Sequence, residues 1–267
     1  MKLTYFGTAA AEGFPALFCN CPHCNEARRL GGKNIRTRSQ AMINTDLLID
    51  LPPDTYTHFL QNAVEGDRIA YLLITHTHLD HFAPAELILR RHGFAHDMRV
   101  PTLQILCSAD AARRIGTPPP NTEITVLTPY VTVMVGGYRI TPLPARHEEN
   151  ALIYLIEGER TILYGHDTGF FFDEVIAYLA DRGVRLDMIS LDCTNVDIPI
   201  GDEGRHMGLP NIGRLLARLE AIGAVGENTL KYINHFSHNA APLQSLLEAK
   251  AAAYGCSGAY DGCTVEI

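Results

Sequence analysis

Between residues 76 and 81 the chain reads His76-Thr77-His78-Leu79-Asp80-His81, three imidazoles and a carboxylate packed into one short segment. Imidazole beside carboxylate is the donor set preferred by zinc, manganese and iron. In an extended backbone His76 and His78 point to the same side, while a bend beyond them can carry Asp80 and His81 to a second position. One ion cannot use all of these donors, so the segment calls for two. A solvated, histidine-rich loop is the plain alternative. What precedes the cluster argues against it: Tyr71-Leu72-Leu73-Ile74 is an apolar run of the kind that forms a buried strand, and a strand end is the usual place for a ligand site in an α/β sheet.

Further donors stand where other strands should end. His147 follows Pro144-Ala145-Arg146, Asp167 sits in Tyr164-Gly165-His166-Asp167-Thr168-Gly169, and His235 follows Tyr232-Ile233-Asn234. Taken singly, each has an ordinary reading, a satisfied polar histidine or a turn-forming aspartate. His166 should project away from Asp167 on an extended backbone and is read as structural.

A second constellation, Cys19-Asn20-Cys21-Pro22-His23-Cys24, crowds three thiols just before a short helix that ends at Gly31-Gly32. Two cysteines separated by one residue are too close to bridge comfortably, and in a reducing compartment such crowding signals metal. A closed zinc site needs a fourth donor, from His23, His238 or a late cysteine. His238 is favoured, because it lies three residues beyond His235 and would tie this loop to the wall of the histidine cluster. Cys107, Cys193, Cys256 and Cys263 read as small buried hydrophobes.

The elements that must position these groups alternate along the chain. Strands are expected near 3–6, 41–43, 47–50, 72–75, 104–107, 138–141, 152–156, 161–164, 188–192 and 232–234. Helices are expected near 54–63, 84–92, 172–182, 210–222 and 242–253. Two mixed sheets faced by helices fit this order, although periodicity alone does not separate that layout from other α/β arrangements.

A chain of 267 residues with 46% apolar residues can bury a sizeable core in one domain, 1–267, carrying the Cys-rich loop 19–24. Its start lacks an apolar signal segment and no apolar run reaches the ~20 residues of a membrane span, so a cytoplasmic protein with no membrane partner is expected. A net charge of −8 argues against wrapping a long nucleic acid. A small anion stays compatible, since metals and a few arginines can reverse the potential locally. Homodimerisation is left open.

The H-x-H-x-D-H pattern resembles the signature of the metallo-β-lactamase superfamily. With the C-x-C-x-x-C loop, Gly7-Thr8, His147, Asp167, Leu191-Asp192-Cys193, His235 and His238, the likeness runs over nearly the whole chain. It is closest to the PhnP-type phosphodiesterases of the carbon–phosphorus lyase pathway, and the chain is also similar to the B proteins of pyrroloquinoline-quinone biosynthesis. The latter depart from the full pattern, whereas this chain keeps every ligand.

The resemblance implies an αββα sandwich and a dinuclear centre of zinc or manganese, with one structural zinc at Cys19, Cys21, Cys24 and His238. It implies that His76, His78 and His147 hold one ion, that Asp80, His81 and His235 hold the other, and that Asp167 bridges them. A bridging carboxylate gives an oxygen-rich pair suited to phosphoryl oxygens. His206, in Gly204-Arg205-His206-Met207-Gly208, matches a histidine placed beside the scissile phosphate in related phosphodiesterases and tRNA-processing nucleases, and Arg205 could steady a phosphate. The expectation is a phosphodiesterase acting on small or cyclic diesters such as 2′,3′-cyclic nucleotides, with Asp80 and His206 as catalytic groups. Two rivals remain: a lactone, thioester or amide hydrolase on the same scaffold, and a non-catalytic metal-binding accessory protein.

Overall fold

The computed structural model describes residues 1–267 and resolves two seven-stranded sheets packed face to face. The first runs, edge to edge, β14 (Cys263–Glu266), β1 (Lys2–Gly7), β2 (Gln40–Ile43), β3 (Leu47–Ile49), β4 (Tyr71–Leu73), β5 (Leu103–Cys107) and β6 (Thr122–Val126). The second runs β13 (Ser257–Gly258), β12 (Leu230–Asn234), β11 (Met188–Asp192), β10 (Thr161–Gly165), β9 (Leu152–Glu157), β8 (Tyr138–Pro144) and β7 (Val133–Val135). Strands β3 to β6 are parallel to one another, as are β10 to β13, and the remaining pairs are antiparallel.

Strand periodicity explains the layering. In β1, Leu3 and Tyr5 turn toward the second sheet and pack with Ile49, Leu73, Tyr154, Tyr164 and Met188. Phe6 turns to the opposite face and joins Leu48, Leu72 and Ile105, where α2 (Thr55–Gln61) and α3 (Ala109–Ile115) cover the sheet through Phe59 and Ala111. The outer face of the second sheet buries a larger cluster under α4 (Asp173–Asp181), α5 (Leu209–Ala221) and α6 (Gln244–Ala252). Three apolar layers between four structural ones make this the expected αββα sandwich. No helix is long and apolar enough to cross a membrane.

The expected elements are present, with three kinds of departure, the first being helix α3, Ala109–Ile115, which was not expected. The helix expected over 84–92 is a run of 3-10 turns, Pro84–Arg90, closed by bonds such as Arg91 N–H to Ile88 O. It buries Leu87 while Ile88 and Leu89 stay exposed, so no apolar stripe of α-helical period favours the wider coil. The strands absent from the sequence reading, β6, β7, β13 and β14, are the four edge strands of the two sheets. β6, half-exposed through Glu123, Thr125 and Val126, shows why a run of that kind gives no clean apolar signal.

Parallel pairing matters for the site. β3, β4, β10, β11 and β12 all release their chain at the same rim of the sandwich, so the loops after them converge there. The phenol of Tyr154 ties the sheets at this rim by donating to Ile74 O at 2.5 Å.

Candidate metal centre

The loop after β4 is a tight turn, with Phe82 N–H and His81 N–H both donating to His78 O. It holds His76 Nε2 and His78 Nδ1 3.0 Å apart, and His147 Nε2, from the loop after β8, also lies 3.0 Å from His78 Nδ1. A ring nitrogen carries at most one proton, so His78 Nδ1 cannot donate to both neighbours. Three lone pairs aimed at one point fit a shared cation better than a hydrogen-bonded trio.

The second group faces the first. His81 Nε2 and His235 Nε2 are 3.3 Å apart; Asp80 Oδ2 lies 3.3 Å from the former and 3.7 Å from the latter. Asp167 stands between the groups, its Oδ2 3.6 Å from His76 Nε2, 3.8 Å from His147 Nε2 and 3.3 Å from His81 Nε2, its Oδ1 3.0 Å from His235 Nε2. That Oδ1 is buried and has no well-directed hydrogen-bond donor.

Four carboxylates are buried here, Asp50, Asp80, Asp167 and Asp192, and none pairs with lysine or arginine. Buried negative charge must be balanced by cations. In the bare protein the imidazoles take that load. Burial pulls His235 down, but the carboxylate of Asp167, helped by Asp80 and Asp192, raises it to about 10. Burial likewise lowers His81, and Asp167, Asp50 and Asp80 together push it well above its ordinary value. His76 is held well below its ordinary value by burial and by the charge of His81, which outweigh the upward pull of Asp167. The donor set therefore fits divalent cations at both positions.

The outward nitrogens are held as well. His81 Nδ1 meets Asp50 Oδ2 at 2.6 Å, and Asp50 in turn accepts from Thr75 N–H and O–H. His76 Nδ1 meets Thr75 Oγ1 at 3.0 Å, His235 Nδ1 meets Thr194 Oγ1 at 2.8 Å, and His147 Nδ1 donates to Arg205 O at 3.2 Å. His78, the most exposed of the five at 43%, has its Nε2 3.2 Å from Glu148 Oε2, whose other oxygen accepts from Thr77 N–H. Such outer partners fix tautomer and ring orientation.

His206 stacks beside this cluster, its ring centroid 4.7 Å from that of His147 and 5.4 Å from that of His235. Its Nδ1 lies 2.7 Å from Asp192 Oδ2 and 3.0 Å from Thr194 Oγ1. Arg205 enters through its backbone carbonyl, while its side chain is exposed and forms no ion pair. His166 is buried, with Nε2 2.7 Å from Ser190 Oγ.

The thiols converge too. Cys19, Cys21, Cys24 and His238 place one donor atom each within 4.8 Å of one another, with Cys24 Sγ 3.6 Å from His238 Nδ1. Cys21 caps α1 (Pro22–Leu30) by accepting from Cys24 N–H, Cys19 Sγ accepts from Cys21 N–H, and Cys24 Sγ accepts from Ala16 N–H. The Cys24 N–H lowers the Cys21 thiol to about 6, toward the metal-binding thiolate, whereas burial raises Cys24 to about 11.

Asp50, Asp192, Thr194 and Glu148 were not assigned roles from sequence. For the two aspartates a signal existed: each closes an apolar run, Leu47-Leu48-Ile49 and Met188-Ile189-Ser190-Leu191, where an acid is tolerated only with a partner. Glu148 offered only its place next to His147.

Residues 45–236 match the family model described as a beta-lactamase superfamily domain, and the chain belongs to that superfamily. Among curated proteins it is similar to coenzyme PQQ synthesis protein B of Azoarcus sp. (strain BH72), 29% identical over 109 residues. That match covers 36% of this chain and 35% of the relative, about a third of its length. Among solved structures, Zn(2+)-bound PqqB from Methylobacterium extorquens superposes with a TM-score of 0.77 at 17% identity, covering both chains fully. A diphosphatase from the PhnP family superposes with a TM-score of 0.74 at 22% identity, over 100% of this chain and 97% of that one. Human tRNase Z, short form, superposes with a TM-score of 0.64 at 17% identity, over 100% and 99%. At these identities the structural likenesses establish the fold.

Proposed function

We propose that this protein is a metal-dependent hydrolase that cleaves small or cyclic phosphodiesters. His76, His78 and His147 would hold one divalent ion, Asp80, His81 and His235 the other, with Asp167 bridging; Cys19, Cys21, Cys24 and His238 would hold a separate structural zinc. Bound at the first two positions, divalent ions supply Lewis-acid stabilisation of phosphoryl oxygens and lower the pKa of a water toward ~7.

The observation that favours a diester is His206. Asp192 and Thr194 occupy its Nδ1, which leaves Nε2 as the ring's working nitrogen, beside two of the proposed ligands. Asp192 is itself fixed by N–H donation from Met207 and Thr194, so the ring is held in one orientation. From there an imidazolium donates the Nε2 proton to the departing alkoxide oxygen, general acid help worth ~10²–10⁴ in rate. A carboxylate bridge rather than a thiolate suits hard phosphoryl oxygens.

The test compares leaving groups. His206→Ala should keep its metals and lose ~10²-fold or more on a 2′,3′-cyclic nucleotide, but far less on bis-p-nitrophenyl phosphate, whose leaving group needs little protonation. Equal losses on both would remove His206 as the acid. Turnover of lactones or thioesters, with none of diesters by the fully metallated protein, would replace this reading with acyl hydrolysis. A non-catalytic metal-binding role would stand if neither substrate class were turned over.

A further inference from the structure

We propose that Gly169 and Arg146, neither of them a metal donor, are positioning residues: they set the strap 197–206, and with it His206 and the Arg205 carbonyl, against the metal centre. The strap joins β11 to α5 and is exposed over most of its length. Bonds within it and to α5 fix its shape, Gly204 N–H donating to Gly201 O at 2.9 Å and Asn211 Nδ2 to Ile200 O at 3.1 Å. Beyond His206 the chain is held by Met207 N–H on Asp192 Oδ1. What remains is how the strap meets the loops after β8 and β10, which carry His147 and Asp167.

Two contacts decide that. The backbones of Gly169 and Gly204 touch, and a Cβ on Gly169 would overlap Gly204 O, far inside the ~3.3 Å at which ordinary C···O contacts begin. The next residue along the strap gives its carbonyl to His147 Nδ1 at 3.2 Å, and the one after it is His206. Arg146 works from the side. Its Nε donates to Phe170 O at 3.0 Å, its Nη1 to Glu203 Oε2 at 2.5 Å, and its guanidinium lies 4.3 Å from the centre of the Phe172 ring. One arginine, directly before the donor His147, thus ties the loop after β10 to the strap.

Of the two partners, the strap is the one that yields. Gly169 is buried, donates its N–H to Arg146 O at 2.9 Å, and is followed by Phe170 and Phe171 of the outer core. Its backbone lies outside the left-handed region, so an alanine there is opposed by space rather than by conformation. A methyl would drive the strap back by at least ~1 Å, and a misplacement of that size can cost ~10²-fold in rate.

The catalytic consequence rests on the reading of His206 as the general acid; the placing of the strap does not. Both are therefore measured in Gly169→Ala, zinc-loaded and carrying isotope-labelled histidine. This variant should keep both active-site ions and the loop zinc. It should lose the His147 Nδ1–H resonance, which the bond to Arg205 O protects from exchange with water. Turnover of a 2′,3′-cyclic nucleotide should fall about tenfold or more, with a smaller loss on bis-p-nitrophenyl phosphate. Arg146→Gln should show the same changes at smaller size, and it carries the test alone if Gly169→Ala does not fold. A wild-type resonance in the folded variants would overturn the proposal. So would loss of the active-site ions from Gly169→Ala, since Gly169 would then act through Asp167. A wild-type ratio of the two turnover rates, where His206→Ala does change it, would overturn the catalytic role and leave the phosphodiesterase reading intact. Equal losses on both substrates in His206→Ala would instead remove the general acid, and the resonance alone would decide the placing of the strap.

Discussion

The two donor clusters come within three residues of each other in sequence, at His235 and His238, yet they are built by opposite strategies. The thiol cluster takes three of its four donors from one loop, 19–24, and sits on a small satellite core of Phe14, Ala16, Cys24 and Ala27. The histidine and aspartate cluster draws on loops after β4, β8, β10 and β12, from both sheets, and is braced by Asp50 and Asp192 at the ends of β3 and β11. A site made mostly from one loop can stabilise that loop. A site made from four loops exists only once the sandwich has closed, and it inherits its geometry from both cores.

If that contrast is right, removing a donor should have different consequences at the two places. The largest effect is expected for Asp167→Ala, which should reduce hydrolysis to background and release both active-site ions while leaving the loop zinc bound. Elemental analysis beside a turnover assay measures all three, and retention of two ions would mean that Asp167 does not bridge.

Cys21→Ser should do the reverse: one zinc lost, the catalytic pair kept, and the melting temperature lowered. Thiolate zinc sites contribute folding free energy. A loss of about 3 kcal/mol in a chain of this size corresponds to roughly 6–12 °C. Loss of activity metals in this variant would show that the short span from His235 to His238 couples the two sites, and the contrast would fail.

A smaller effect tests the outer contacts. Glu148→Gln removes the charge facing His78 Nε2 but keeps the shape, so affinity at the His76, His78 and His147 position should fall by about 10–100-fold. Competition with a chromophoric chelator reads this directly. Affinity at the thiol cluster should not move, and unchanged affinity at both places would reduce Glu148 to a bond for Thr77.

The elements that carry the site were legible because parallel strands buried on both sides, such as Leu72-Leu73-Ile74 and Met188 to Leu191, write themselves as apolar runs. The donors at their ends stand out for the same reason, since a histidine or aspartate closing such a run is buried with it and must find a partner there. The segment 84–92 was harder to read because its apolar residues, Leu87, Ile88 and Leu89, are adjacent and give no period to separate an α-helix from 3-10 turns.

Other features required three dimensions. Sequence named His23, His238 and late cysteines as fourth donors to the thiols, and only packing of the loop after β12 against residues 19–24 brought His238 Nδ1 to 3.6 Å from Cys24 Sγ. Nothing local distinguishes Glu148 from Glu149, or the guanidinium of Arg205 from its carbonyl, because which of them faces the centre depends on how the loop after β8 meets the one before α5. The sequence by itself determined the donor types, their order and the strands that end in them, since side-chain chemistry and strand burial are local properties. The convergence of those donors and the placing of their outer partners were decided by the tertiary structure, because each depends on contacts between segments far apart in the chain.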